Sequence, residues 1–150
     1  MYKHILIPTD GSELSSAAID QGLAFASEIG ASVTFFTVTA PIRVYGITGE
    51  QLAGGYDEYT KAAREEGARR LSAAEERAKA LGVPCQSRMV ESDHAWEAII
   101  DAANDCGADL IAMASHGRRG LGALVLGSET LKVLTHSSIP VLVYREPKPR

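Results

Sequence analysis

Two stretches of this chain hold the residue types from which a phosphate site can be built. One is Pro8-Thr9-Asp10-Gly11-Ser12; the other runs Ala114-Ser115-His116-Gly117-Arg118-Arg119-Gly120-Leu121-Gly122 and leads to Gly127-Ser128. Glycines at 117, 120, 122 and 127 permit positive φ and let a backbone come close to a ligand. If a helix begins at Ser128, the amides of Ser128, Glu129 and Thr130 are donors without an intrahelical acceptor, and such a terminus attracts an anion. Ser128 and Thr130 add hydroxyls, while Arg118 and Arg119 add positive charge. The same composition also suits a flexible loop with an ordinary Ser cap, so the residues alone leave both readings open. Asp10 is divided in the same way between a ligand and the start of a helix. His116 has no acidic neighbour in sequence to orient it as a base, and is expected to shape the turn or pack on a ligand. No catalytic residue and no protein-held metal are expected.

Groups of this kind need elements that carry them to one place. Short apolar runs at His4 to Pro8, Thr34 to Val38, Leu110 to Ala114 and Val141 to Tyr144 read as strands covered on both faces, and Val83 to Val90 is a weaker fifth. Helical spacing separates them. Leu14, Ala17, Ala18, Leu23 and Ala26 recur after Ser12 and stop at Gly30. A second pattern runs from about Tyr56 to Leu81, with Glu65/Arg69, Glu66/Arg70 and Glu75/Lys79 as pairs on a solvated face. A third helix, capped by Ser92 or Asp93, carries Ala95, Ile99, Ala102 and Cys106. Regular alternation of this kind predicts one α/β domain over residues 1–150, a doubly wound, Rossmann-like parallel sheet of five strands in the order 3-2-1-4-5 with helices on both faces. In such a sheet the ligand lies beyond the carboxyl ends of the strands, where both chemistry-bearing stretches fall. The long, glycine-rich connection from Ala40 to Gly55 reads equally as a mobile flap over the site or as plain disorder.

Several classes drop out. No glycine is followed by Lys and then Ser or Thr, so a Walker loop is absent, and Gly120-Leu121-Gly122 lies too late and is followed by Val125 where a dinucleotide fingerprint needs glycine. A receiver domain would want paired acids after the first strand, where only Asp10 stands. The net charge of −4 argues against nucleic acid as a partner. Cys85 and Cys106 form no Cys-x-x-Cys unit and read as buried, reduced fillers. No run approaches a membrane span or a signal-peptide core, which makes the cytoplasm the expected location.

The segments His4-Ile-Leu-Ile-Pro-Thr-Asp-Gly-Ser12, Met113-Ala-Ser-His-Gly117, Leu126-Gly-Ser128 and Ile139-Pro-Val-Leu-Val143, in that order along the whole chain, resemble the universal stress protein family. Its ATP-binding branch resembles Gly, two residues, Gly, nine residues, Gly, then Ser or Thr. This chain supplies Gly117, nine residues, Gly127 and Ser128, with Ala114 at the first glycine position. The resemblance implies that Pro8, Thr9 and Asp10 hold the adenine or ribose side and that Val38 closes on adenine through its backbone. It implies that Met113 and Ala114 line the floor, and that Gly117 and Gly127, Ser128, Glu129 and Thr130 cradle phosphates bridged by Mg²⁺ or Mn²⁺, with His116 and Arg118 beside them. A homodimer through Val141, Leu142, Val143 and Tyr144 is implied too, and it would cover an apolar edge strand that is otherwise an aggregation hazard. The expected function is an ATP-binding stress-response regulator with slow or no hydrolysis. A nucleotide-free interaction module and an ATP-hydrolysing or adenylating enzyme are the alternatives.

Overall fold

The computed structural model describes residues 1–41, 49–116 and 126–145, with the backbone alone at 49–54 and 56. Its elements are β1 (His4–Pro8), α1 (Glu13–Ile29), β2 (Ser32–Thr39), α2 (Gly49–Leu81), β3 (Cys85–Glu91), α3 (Ala95–Asp105), β4 (Leu110–Ala114), α4 (Ser128–His136) and β5 (Val141–Tyr144). The strands form a five-stranded sheet in the order β3-β2-β1-β4-β5, every pairing parallel, as expected.

Alternation along the inner strands divides the core in two. Ile5, Ile7, Val33, Phe35, Leu110 and Ala112 point to the side of α1 and α2, where Leu23, Ala26, Leu71, Ala74 and Ala78 meet them. Leu6, Phe36, Ile111 and Met113 point the other way, onto Ile99, Ala102 and Ala103 of α3 and Val133 of α4. Burial on both faces is why these runs read as continuous apolar stretches rather than alternating ones. Each fully buried Ile, Leu or Phe in them stabilises by roughly 1.5–3 kcal/mol over an exposed one.

Several boundaries differ from the expected ones, each for a local reason. α2 begins at Gly49 rather than near Tyr56, so the end of the expected 40–55 loop is helical, while 42–48 lie outside the described residues. β2 extends to Ser32 and Thr39 because its neighbours β1 and β3 offer partners over that whole length. β3 starts at Cys85, since the Val83 amide still bonds the Ala78 carbonyl beyond the end of α2. The N-cap of α3 is His94, not Ser92 or Asp93; the Ser92 hydroxyl instead accepts from the His94 amide in a tight local turn. Cys85 and Cys106 are free thiols but only half-buried. Arg70 reaches Glu66 as spaced, whereas Arg69 also takes Glu66, at 2.6 Å, in an i,i+3 pair. Gly30 does end α1, in the left-handed region at φ 72°.

At the amino-terminal edge of the sheet a polar cluster takes the place of apolar packing. The His4 ring sits between the hydroxyls of Ser32, 2.5 Å from Nδ1, and Thr34, 2.6 Å from Nε2, and the Gln86 amide donates to the same Thr34 oxygen. Burial lowers the His4 pKa below its ordinary 6.5; Asp109 opposes this and Arg88 reinforces it. Burial raises the Asp109 pKa, but the amides of Lys3 and His4 that donate to its carboxylate outweigh that and hold it below its ordinary 3.8. For both groups the deprotonated form is the one the fold prefers. Stability is therefore complete above pH 6.5, declines as His4 is forced to protonate below it, and declines again below pH 3.8 as Asp109 protonates. Urea denaturation across pH 3 to 8 should show both declines, and His4→Gln should flatten the upper one while leaving the lower in place.

Candidate functional site

Parallel strands end at one edge of the sheet, and the segments leaving that edge enclose a cavity of about 820 Å³. The loop after β1 forms one wall. Thr9 is buried there and held from every side: its amide bonds the Phe36 carbonyl, its own carbonyl accepts from the Thr37 hydroxyl at 2.8 Å, and its hydroxyl lies 2.9 Å from that of Ser15. Asp10 accepts the Ser12 amide at 2.9 Å, and Ser12 in turn caps α1 by accepting the Ser15 amide. The acid thus shapes the turn while Ser12, not Asp10, caps the helix. Pro8, Thr9 and Asp10 all line the cavity.

The floor is apolar. Met113 and Ala114, at the end of β4, share it with Phe36 and Val38 of β2 on the other side of β1, and Ile99 of α3 lines it too. Ala114 is an ordinary strand residue that pairs with Tyr144, and no described residue other than glycine has positive φ. Alanine at that point therefore meets no conformational demand for glycine.

The far wall is the start of α4, and Gly127 fixes its position. The Gly127 amide bonds the Ser115 carbonyl at 2.8 Å, and a Cβ at 127 would lie 3.0 Å from both Cα and Cβ of His116. Its φ of −63° is available to any residue, so close backbone approach is what calls for glycine here. Thr130 is buried and donates its hydroxyl to the Ala114 carbonyl at 2.9 Å. That proton joins α4 to β4 and is not offered to a ligand, contrary to the expectation for a hydroxyl at this position.

Three helices, α1, α3 and α4, begin at this cavity, and each brings amides that need acceptors. Ser12 serves α1, and the Glu129 carboxylate serves α3 by accepting from the Trp96 amide at 2.9 Å. α4 starts behind Gly127, which has no side chain, and among the described residues it carries no side-chain cap. Among those residues its amino terminus is the one left to attract an exogenous anion. Charged lining residues among those described are Asp10, Asp93 and Glu129, with no Lys or Arg. No group of three or more His, Cys, Asp or Glu among the described residues could hold a metal.

The structure thus gathers Pro8, Thr9, Asp10, Val38, Met113, Ala114, His116, Gly127, Ser128, Glu129 and Thr130 around one cavity. Gly117 and Arg118 lie outside the described residues. Sequence reasoning missed Ser15, Phe36, Ala40, Pro41, Ser92, Asp93, Ala95 and Ile99. Ser92 and Asp93 were open to the same rule that selected the other loops, since they follow the end of β3. A smaller cleft of about 370 Å³ between α2 and the end of β3 sets Lys61 and Arg64 against Asp57, Glu65 and Glu91 and has the character of a solvated charged surface.

Residues 1–145 match the model of the universal stress protein family. The universal stress protein MJ0531 of Methanocaldococcus jannaschii is 34% identical over 148 residues, covering 99% of this chain and 85% of its own. The solved structure of MJ0577, from the same organism, superposes with a TM-score of 0.83 at 28% identity over 99% of both chains. A universal stress protein solved in complex with cAMP superposes with a TM-score of 0.69 at 27% identity, covering 95% of this chain and 97% of that one.

Gly127→Ala is expected to lower stability by about 1–3 kcal/mol through the forced displacement of His116. At Gly30 a Cβ meets no atom within 4 Å, so Gly30→Ala carries only the left-handed backbone penalty of about 1–2 kcal/mol. Urea denaturation measures both, and ¹H–¹⁵N spectra should show shifts at Ser115 and His116 for the first variant alone.

Proposed function

The chain belongs to the universal stress protein family, and from that premise we propose that it is a cytoplasmic stress-response regulator that binds an adenine nucleotide, ATP in the first place. The nucleotide lies between the loops after β1 and β4. The observation that carries this reading is the start of α4, uncapped by any described side chain, at one end of a cavity whose floor is apolar. A base needs flat apolar walls, which Phe36, Val38 and Met113 supply, and phosphates need amide donors, which Ser128, Glu129 and Thr130 supply. The similar protein solved with cAMP, whose base is adenine, supports this choice of ligand class. Asp10 takes the ribose side, with Pro8 and Thr9 shaping that wall and Ala114 completing the floor. Gly117, Arg118 and His116 flank the phosphates.

Mg²⁺ or Mn²⁺ would be carried by the phosphate oxygens and would neutralise charge there. Hydrolysis would need an in-line water with a placed base. Of the groups near the phosphates, Glu129 has its carboxylate on the Trp96 amide, Asp10 is turned to Ser12, and His116 has no acid next to it in sequence to orient it as a base. Slow or no turnover follows, and the nucleotide acts as a ligand that shifts conformations.

Ser128→Pro tests the phosphate assignment. Ser128 is the first helical residue, where proline is well tolerated, and Gly127 before it has φ −63° and ψ 152°, which proline accepts. The variant should fold normally yet lose about tenfold in ATP affinity, because one charge-assisted amide bond disappears. Calorimetric titration of nucleotide-stripped protein with ATP and Mg²⁺ measures this, and a folded wild type that binds no nucleotide would end the proposal.

The same reading includes a homodimer through β5. Val141, Leu142, Val143 and Tyr144 are all half-exposed at the edge of the sheet. The carbonyls of Pro140 and Tyr144 face β4, accepting from Ile111 and Ser115, so by alternation the polar backbone groups of Val141 and Val143 face outward. A second copy pairing along that edge would satisfy them. Val143→Pro removes one outward amide and should halve the mass seen by sedimentation velocity at micromolar concentration; a wild type already monomeric there would overturn the dimer.

A further inference from the structure

α3 begins behind His94, whose side chain makes no capping bond, and one of its first amides is served from another helix. The Trp96 amide donates to Glu129 Oε2 at 2.9 Å, joining the first turns of α3 and α4. Trp96 makes a second contact with α4: its ring stacks on His136, centroids 4.6 Å apart and planes at 29°. Positions 129 and 136 stand two turns apart on one face of α4, so that face grips a single residue of α3 at two points. Both helix starts line the cavity, α3 through Ala95 and α4 through Gly127 and Ser128.

Glu129 is also an acid set among the α4 amides. A carboxylate in a first turn favours the helix, yet it repels each phosphate brought to the same amides. Asp10 and Asp93 share the lining, and no described Lys or Arg offsets them there.

We propose that Glu129 is a positioning residue of the nucleotide pocket: its carboxylate ties the start of α3 to the start of α4, and its charge narrows the margin by which the pocket prefers ATP over nucleotides with fewer phosphates. This rests on the nucleotide-binding reading above. The tie sets the separation between the two walls, and the charge acts on whatever occupies the space between them.

Two variants separate the parts. Glu129→Ala removes acceptor and charge together, whereas Glu129→Gln keeps an acceptor oxygen at the same reach and removes the charge alone. Without ligand, hydrogen exchange at the Trp96 amide should accelerate about tenfold in Glu129→Ala and stay as in wild type in Glu129→Gln. In titrations with AMP, ADP and ATP without divalent cations, Glu129→Ala should weaken AMP binding about tenfold. Glu129→Gln should strengthen AMP binding modestly and ATP binding more, raising the ATP-to-AMP affinity ratio about fivefold. An unchanged Trp96 exchange rate in Glu129→Ala, or an unchanged ATP-to-AMP ratio in Glu129→Gln, overturns the proposal. A folded wild type that binds none of the three ends the nucleotide reading instead; the exchange data then judge the tie by itself, faster exchange in Glu129→Ala with protection kept in Glu129→Gln supporting it and no difference overturning it.

Discussion

Five strands running in one direction send each following helix off from the same edge of the sheet, so the amides that helices leave unpaired at their starts collect there. Those groups cannot be buried without acceptors. The chain meets the demand in three different ways at one cavity. Ser12 serves α1 locally, Glu129 serves α3 from another element, and α4 starts behind a glycine that offers nothing. The resulting asymmetry makes one end of the cavity attractive to an anion.

The walls owe their order to buried polar contacts that cross between elements. Thr37 reaches the Thr9 carbonyl, Thr130 reaches the Ala114 carbonyl, and the Gly127 amide reaches Ser115. Each of these stabilises by only about 1 kcal/mol, but each ties a segment at the cavity to a strand or to the residue that directly follows one. Segments after β1 and before α4 are therefore placed by the sheet rather than by their own preferences. His4 with Ser32 and Thr34 does the corresponding work at the opposite edge, where its neutral ring bridges two strands.

Much of this was legible beforehand because strong local signals agreed with the global fold. The apolar runs at 4–8, 110–114 and 141–144 were bounded as they occur, and Ser12 and Gly30 marked both ends of α1. Boundaries slipped where a tertiary partner overrode local pattern. β2 grew because both its neighbours pair with it, and α2 continues back through a glycine-rich stretch that reads as a loop on propensity alone. In the site, the glycine-marked loops and the stretches the family resemblance covers were found; Phe36 and Ile99 were missed because nothing in their own neighbourhood marks them, and Ser92 and Asp93 although they follow the end of a strand.

Composition and spacing by themselves determined the class of fold and the two loops that meet, because periodicity and turn chemistry are local properties that a chain carries wherever it is placed; the family came from the resemblance of four sequence segments. Which hydroxyls and carboxylates remain available to a ligand was decided only in three dimensions. Thr130 reads as a donor and is engaged by Ala114; Glu129 reads as part of a phosphate cradle and accepts from the amide of a residue 33 positions earlier. A hydrogen-bonding group serves whichever partner the packed fold brings within 3 Å, and sequence spacing has no means of expressing that distance.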